Sequence, residues 1–337
     1  MRFFVDSSAL EYDRIGGTSN HGFSSHDDSL DNRLGLAHAR RRRSTERRNE
    51  ARFGPSVKSF DLAELASRQF LISAALIASG LYRRGLRNAA CVEVRHNHIT
   101  SYRLPKSFSG FRLLHLSDLH ADLSHEAIRR VTSLVGLLQY DVCVFTGDFR
   151  GKKFGPFDEA LEVLGPITRA LGGPLYGVLG NHDPVAMVPG LEALGIRLLL
   201  NECVAVERGG DRIHLAGIDD VHFYESGSIE QAAAGVPREN FSVLLSHTPE
   251  VYCEAERAGF DVMLSGHTHG GQICLPGGIP ITLDAKLPRH MGKGAWRYGK
   301  LSGYTSVGAG SSVVPVRFNC PPEITLHHFE ARLRDTQ

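Results

Sequence analysis

The pattern of hydrophobic and polar positions divides the chain near residue 91. Residues 1–60 carry Ser, Asp, Arg, Asn and Gly without a sustained apolar period, which predicts a mostly disordered basic tail. Residues 70–82, FLISAALIASGLY, form an uncharged, mostly apolar run of 13. A spanning helix needs about 20 apolar residues, and Glu64, Arg68, Arg83 and Arg84 block extension at both ends. The run fits a signal-peptide core, an interfacial helix, or a helix packed on the next domain. Beyond residue 91, short apolar runs alternate with amphipathic stretches. Strands are expected at 111–116, 142–146, 175–179, 196–200, 204–207, 213–216, 242–245, 262–265, 303–307 and 323–328. A helix is expected over 124–138, where Ile128, Val131, Leu134, Val135 and Leu138 share one face. Others are expected at 158–171, at 249–258 and within 189–194, while the Gly- and Pro-rich 275–296 reads as a long loop. Such alternation points to layered α/β packing. The expected organisation is a basic tail over 1–60, an apolar signal-like or membrane-associating segment over 61–90, a domain over 91–330 and a short tail over 331–337.

Composition changes this picture little. A chain of 337 residues with 42% apolar content is ordinary for one large or two small globular domains. A net charge of +1 gives no global basic field, so nucleic acid is not the expected partner. The basic residues are uneven: Arg40, Arg41, Arg42, Arg43, Arg47, Arg48 and Arg52 crowd one stretch, either a solvated tail or a contact for anionic lipid head groups. Six cysteines include no C-x-x-C pair, which argues against a zinc ribbon or thioredoxin-type site, and Cys143 sits in an apolar run as a small buried hydrophobe.

The chemistry stands just after the strands. Asp118 and His120 follow the first strong run, Asp148 the second, and Asn181, His182 and Asp183 the third. His247 follows the run at 242–245, and His267 and His269 follow that at 262–265. In α/β folds ligands bind beyond the carboxyl ends of strands, so these loops can deliver distant residues to one place. The i, i+2 pairs Asp118/His120 and His267/His269 would each project to one side in extended backbone. A lone Asp or His after a strand is usually a turn residue; five strand ends in a row are not. Carboxylate, imidazole and amide donors without thiolate suit manganese, iron, zinc, nickel or cobalt.

Asp118-x-His120, Gly147-Asp148, Gly180-Asn181-His182-Asp183, His247 and Gly266-His267-Thr268-His269 resemble, in order, the motif blocks of the calcineurin-like metallophosphoesterase superfamily. The resemblance covers about residues 92–330. The strings Leu116–His120, Gly266–Gln272 and Arg317–Glu323 are similar to the bacterial YaeI/YkuE-type branch, whose members often carry an export signal or membrane anchor before the domain. The resemblance implies a four-layer α/β/β/α sandwich of two mixed sheets flanked by helices. It implies two divalent metal ions, manganese first, with iron, zinc, nickel or cobalt as alternatives. Asp118, His120 and His269 would hold one ion, Asn181, His247 and His267 the other, and Asp148 would bridge them. His182 would stand beside the substrate with Asp183 orienting it, while a metal-bridging hydroxide attacks phosphorus in line. The implied substrate is a phosphorylated small molecule or a membrane-linked phosphate such as UDP-2,3-diacylglucosamine of lipid A synthesis. The implied location is then the membrane or cell envelope, with a cytoplasmic enzyme as the alternative. Competing readings are a soluble phosphodiesterase or phosphatase acting on nucleotides, and a non-catalytic metal-binding scaffold.

Arg68-Gln69-Phe70-Leu71 also resembles part of a twin-arginine export motif, with Ser67 where the first arginine would stand. Asp219 and Asp220, before His222, read as self-capping loop aspartates. Arg289, His290 and Lys293 in the glycine-rich loop read as solvated surface, and Trp296 as a packing residue.

Overall fold

The computed structural model describes residues 31–54, residue 32 excepted, and 70–332. Among them run β1 (Glu93–Ser101), β2 (Phe111–Leu116), β3 (Val142–Thr146), β4 (Leu175–Val178) and β5 (Ile196–Leu198). Next come β6 (Glu202–Arg208), β7 (Asp211–Gly217), β8 (Ser242–Leu245) and β9 (Val262–Ser265). The last are β10 (Cys274–Leu275), β11 (Ile279–Pro280), β12 (Gly294–Tyr298), β13 (Leu301–Thr305) and β14 (Glu323–Ala331). One six-stranded sheet has the order β1-β14-β2-β3-β4-β5 and a second β12-β13-β9-β8-β7-β6.

Alternation along each strand builds the layers. Leu113, Val142, Val144, Leu215, Val243, Leu245, Val262 and Leu264 meet between the sheets. The intervening Leu114, Leu116, Cys143 and Phe145 face the other way, against α3 (His125–Val135), α4 (Asp158–Ala170) and α5 (Val188–Ala193). On the far side, Ala216, Leu244 and Met263 pack beneath α6 (Ile229–Ala233) and α7 (Tyr252–Ala258). Strands with no polar face are therefore buried on both, the signature of a sheet covered by helices. The result is the four-layer mixed α/β sandwich. Because β2, β3 and β4 run parallel, as do β7, β8, β9 and β13, their carboxyl ends deliver loops to one edge.

Three elements depart from the sequence expectation. The segment 275–296 is not loop throughout, since β12 opens at Gly294 and pairs antiparallel with β13, Trp296 opposite Gly303. The glycine admits the indole: a Cβ on residue 303 would stand 2.1 Å from it. Strand β1 was hidden by its polar sequence; it is an edge strand paired in parallel with β14. The Arg-rich stretch is not a solvated tail where it is described: α1 (Leu36–Phe53) is an 18-residue helix docked on the domain. Its buried positions are Ala39, Arg42, Thr45 and Asn49, a polar face. Residues 1–30 and 55–69 of the expected tail and apolar segment, and 333–337 of the final tail, lie outside the described residues.

Residues 70–78 are helical, with Phe70, Leu71 and Ile77 more than 60% exposed, so this part is not packed into the core. Among the described residues no helix is long and apolar enough to cross a membrane. Helix α2 (Tyr82–Ala90) follows and leads directly into β1.

Candidate metal centre

The loops beyond β2, β3, β4, β8 and β9 bring all seven expected ligand residues together, and each is almost fully buried. His120 Nε2 and His269 Nε2 lie 3.1 Å apart, and His269 Nε2 is 3.5 Å from Asp118 Oδ1. In a second group, Asn181 Oδ1 is 2.8 Å from His247 Nε2 and 3.0 Å from His267 Nδ1. Asp148 stands between the groups, with Oδ2 3.7 Å from His120 Nε2 and Oδ1 3.4 Å from His247 Nε2. Asp118, His120 and His269 form one grouping able to hold a metal ion, and Asp118, Asp148 and His247 another.

The ring orientations suit cation binding. His120 Nδ1 donates to the Arg150 carbonyl at 3.0 Å and His247 Nδ1 to the Thr146 carbonyl at 2.7 Å. Each bond makes Nδ1 the donor and turns Nε2 toward the centre. His267 turns its Nδ1 inward, and its Nε2 is buried without a hydrogen-bond partner.

The backbone is strained at this place. Asp118, His120, Asp148, His267 and His269 all have positive φ, between 42° and 71°. Such conformations are costly for non-glycine residues and cluster at functional sites. The i, i+2 pairs therefore converge from left-handed turns and not from extended backbone, a correction to the expected geometry. Two glycines admit the approach. A Cβ on residue 180 would stand 2.2 Å from Asp148 Oδ1, and one on residue 266 would stand 2.2 Å from Asp118 Oδ2.

Electrostatics follow from packing acids among imidazoles. Burial opposes the Asp148 charge, but His247, His182 and His120 outweigh it and hold the carboxyl well below the usual range. Burial works against the His247 cation too, yet Asp148 and Asp118 push it up to about 10. Burial raises Asp118 and lowers His267 and His269. A cluster that draws protons or cations to itself in this way is a fit place for divalent ions, and its oxygen and nitrogen donors match the borderline metals.

His182 lies at the edge, its Nε2 3.9 Å from Asp148 Oδ2 and its Nδ1 donating to the Gly151 carbonyl at 2.6 Å. Burial pushes this imidazole down to about 3 against the pull of Asp148. Asp183 does not touch the ring. Its carboxylate accepts from the backbone N–H of Phe149 (3.0 Å), Arg150 (3.3 Å) and Gly180 (2.9 Å), which ties the β3 and β4 loops together. Burial, with Asp148 nearby, raises this carboxyl to about 6. The contact that orients the His182 ring is instead the Gly151 carbonyl, which accepts from Nδ1.

Several supporting residues have no signal in the motif blocks. Buried Arg150 donates from Nε to the His182 carbonyl at 2.6 Å, from Nη1 to Gly155 and from Nη2 to Lys153. Buried Arg42 of α1 donates to Asp219 Oδ1 and to the Asp183 carbonyl, both at 2.7 Å, and lies over the Tyr224 ring. Only the i, i+4 pair Arg42/Glu46 marks it in the sequence. Arg317, inside one of the informative strings, is buried and donates to the Val307 carbonyl at 2.6 Å, with Nη2 3.2 Å from His269 Nδ1. Asp220 caps its own loop as expected, accepting from His222, Phe223 and Tyr224. His222 rests on the His267 ring and pairs with Glu250 at 2.8 Å. Arg289 and His290 are exposed, Lys293 donates to the Gly278 carbonyl, and Trp296 is buried.

Comparison with known proteins agrees with this arrangement. The profile of the calcineurin-like phosphoesterase family matches residues 111–271. The chain is 33% identical over 274 residues to "Transmembrane protein with metallophosphoesterase domain" of Danio rerio, covering 75% of this chain and 61% of that protein. It therefore spans less than two thirds of that relative's length. It is 31% identical over 228 residues to the uncharacterized metallophosphoesterase YkoQ of Bacillus subtilis, covering 64% of this chain and 82% of that one. It is 28% identical over 235 residues to "Phosphodiesterase YaeI" of Escherichia coli, covering 64% and 81% respectively.

Proposed function

The chain belongs to the calcineurin-like metallophosphoesterases, hydrolases of phosphate esters, and from that premise we propose a dinuclear-metal enzyme that cleaves a membrane-linked phosphodiester or phosphoanhydride. The observation that carries the reading is Asp148, whose two oxygens face different ligand groups. Asp118, His120 and His269 would hold one ion and Asn181, His247 and His267 the other, with Asp148 shared. Manganese is the metal we expect. When bound, such ions neutralise phosphoryl charge and lower the pKa of a coordinated water.

The protein groups do the remaining work. The ligand residues are almost fully buried, so charges there are less screened than at the surface. His182 stands at the edge of the centre, its Nε2 3.9 Å from Asp148 Oδ2. Its Nδ1 is committed to Gly151, which leaves Nε2 to serve the phosphoryl oxygens. Burial disfavours the charged ring, and a bound phosphoryl group would supply the negative charge that favours protonation at Nε2. From there it can hydrogen-bond to, or protonate, the departing oxygen. Asp183 and Arg150 act through the loops by fixing where His182 stands.

The lipid preference is supported by the exposed apolar side chains of Phe70, Leu71, Ile77 and Leu81, which suit an interfacial segment at the membrane or envelope. The name of the Danio rerio relative is in keeping with a membrane setting. The substrate we propose is UDP-2,3-diacylglucosamine or a phosphate of the same build. The test is turnover with manganese of a chromogenic monoester, a chromogenic diester, and that compound with and without its acyl chains. Preference for the acylated form, lost in His182→Ala, is the expected result. Equal turnover of the deacylated form favours a soluble phosphodiesterase acting on nucleotides. Full metal occupancy without turnover of any member favours a binding scaffold.

A further inference from the structure

Among the described residues, one cation beside the centre forms no ion pair with an acid. Lys153 is half-buried, with Nζ 4.2 Å from the centroid of the Phe223 ring. Among the described residues no carboxylate oxygen lies within 4 Å of it. Its backbone is tied to the centre, because Arg150 grips the Lys153 carbonyl with the same guanidinium that grips the His182 carbonyl. The ring Lys153 faces belongs to Phe223, the neighbour of His222, whose imidazole lies 4.3 Å from the His267 ring, so this lysine stands at the rim of the centre. Burial lowers the ammonium pKa, and the more distant charges of Asp148, Asp220 and Asp284 offset this only in part.

Around it stand half-buried rings. Phe154 lies 6.5 Å from Phe223, and Phe53 at the end of α1 lies 6.3 Å from Phe223 on another side. Asn49 of the same helix donates to the Phe223 carbonyl at 3.1 Å. The docked Arg-rich helix thus holds the outer wall. Partial burial of an ammonium is unfavourable without a partner, and a ring face offsets only part of that cost. An anion arriving at the centre would supply what is missing, and lysine binds phosphate as a point charge.

We infer that Lys153, with Phe154 and Phe223, forms a subsite for a second phosphoryl group and for the flat or apolar body attached to it. This rests on the metallophosphoesterase reading above and narrows the substrate class to diphosphate-containing compounds. Phosphorus at the metal centre and its neighbour at Lys153 would span an anhydride. The rings would take either a nucleobase or an acyl chain.

The test is calorimetric binding to the manganese-loaded full chain. The probes are non-hydrolysable: uridine α,β-methylenediphosphate and octyl methylenediphosphonate, with uridine monophosphate as the one-phosphate control. Lys153→Met is expected to weaken at least one diphosphonate tenfold or more and the monophosphate less than threefold. Lys153→Arg is expected to keep most of the affinity. Phe223→Ala is expected to weaken the uridine arm if a base lies on the ring, or the octyl arm if a chain does. Equal weakening of all probes by Lys153→Met, or none, overturns the phosphoryl subsite. Unchanged affinity in both arms for Phe223→Ala overturns the aromatic wall. Turnover of bis(4-nitrophenyl) phosphate by the wild type, recorded in parallel, judges the hydrolase reading separately, since the subsite is decided by binding alone.

Discussion

Arg42 offers the sharpest test of how the N-terminal helix is attached. Its side chain is fully buried, with bonds to Asp219 (2.7 Å), Glu46 (2.8 Å) and the Asp183 carbonyl (2.7 Å). Burial opposes the Asp219 charge, yet Arg42 and then His38 hold that carboxyl below its usual range. In Arg42→Met the aliphatic volume remains but the guanidinium is lost. A buried carboxylate deprived of its partner costs about 3–5 kcal/mol. Relief can come from His38, whose Nε2 is 3.1 Å from Asp219 Oδ2, or from α1 lifting away so that water reaches the acid. The second route caps the global loss at the docking free energy of the helix and turns the remainder into local opening. Urea unfolding should therefore fall by about 2–4 kcal/mol. Trypsin should also cut within Leu36–Phe53 at least tenfold faster. Adding Asp219→Asn should recover about half the loss, because no uncompensated charge is then left behind. A single variant within 1 kcal/mol of wild type, with unchanged trypsin cleavage, would refute the docking described here.

Other outcomes follow from the centre and the core. Asp148→Ala should lower both metal content and turnover, whereas His182→Ala should cut turnover by about 10²–10⁴ and keep the metal, as read by elemental analysis beside kcat; equal metal loss in the two would refute this assignment of roles. Gly266→Ala would bring a methyl within 1.9 Å of Ser117 Oγ and 2.2 Å of Asp118 Oδ2, so metal affinity should fall by about tenfold or more by competition with a chelating dye. His115 is buried and held down to about 3, against about 6.5 unfolded. As pH falls below 6.5 the unfolded chain takes up a proton that the folded chain refuses, so stability falls with pH. By pH 5 the loss from this group is about 2 kcal/mol, measured by urea midpoints in chelator, and it should shrink in His115→Gln.

The sheets and ligand blocks were legible because their signals are local. Runs such as Val142–Thr146 are apolar on both faces, and ligands stand immediately after them. Strand β1 was not legible because Glu93, Arg95 and His96 are exposed on an edge, which leaves no apolar period to read. The docking of α1 was hidden for a related reason: its contact face is Arg42, Thr45 and Asn49, and polar docking carries no hydrophobic signature. The left-handed turns at Asp118, His120, His267 and His269 are set by tertiary crowding, which glycines at 180 and 266 permit but do not announce. Nor does the sequence show that the Gly151 carbonyl accepts from the His182 ring while Asp183 binds backbone, since both contacts join separate loops.

The most direct measurement is titration of metal-free protein with manganese, following bound metal and hydrolysis of bis(4-nitrophenyl) phosphate together. The account predicts two equivalents bound, with turnover rising as the second site fills and disappearing on chelation. Turnover that persists without metal, or two bound ions with no turnover of any phosphate ester, would contradict it.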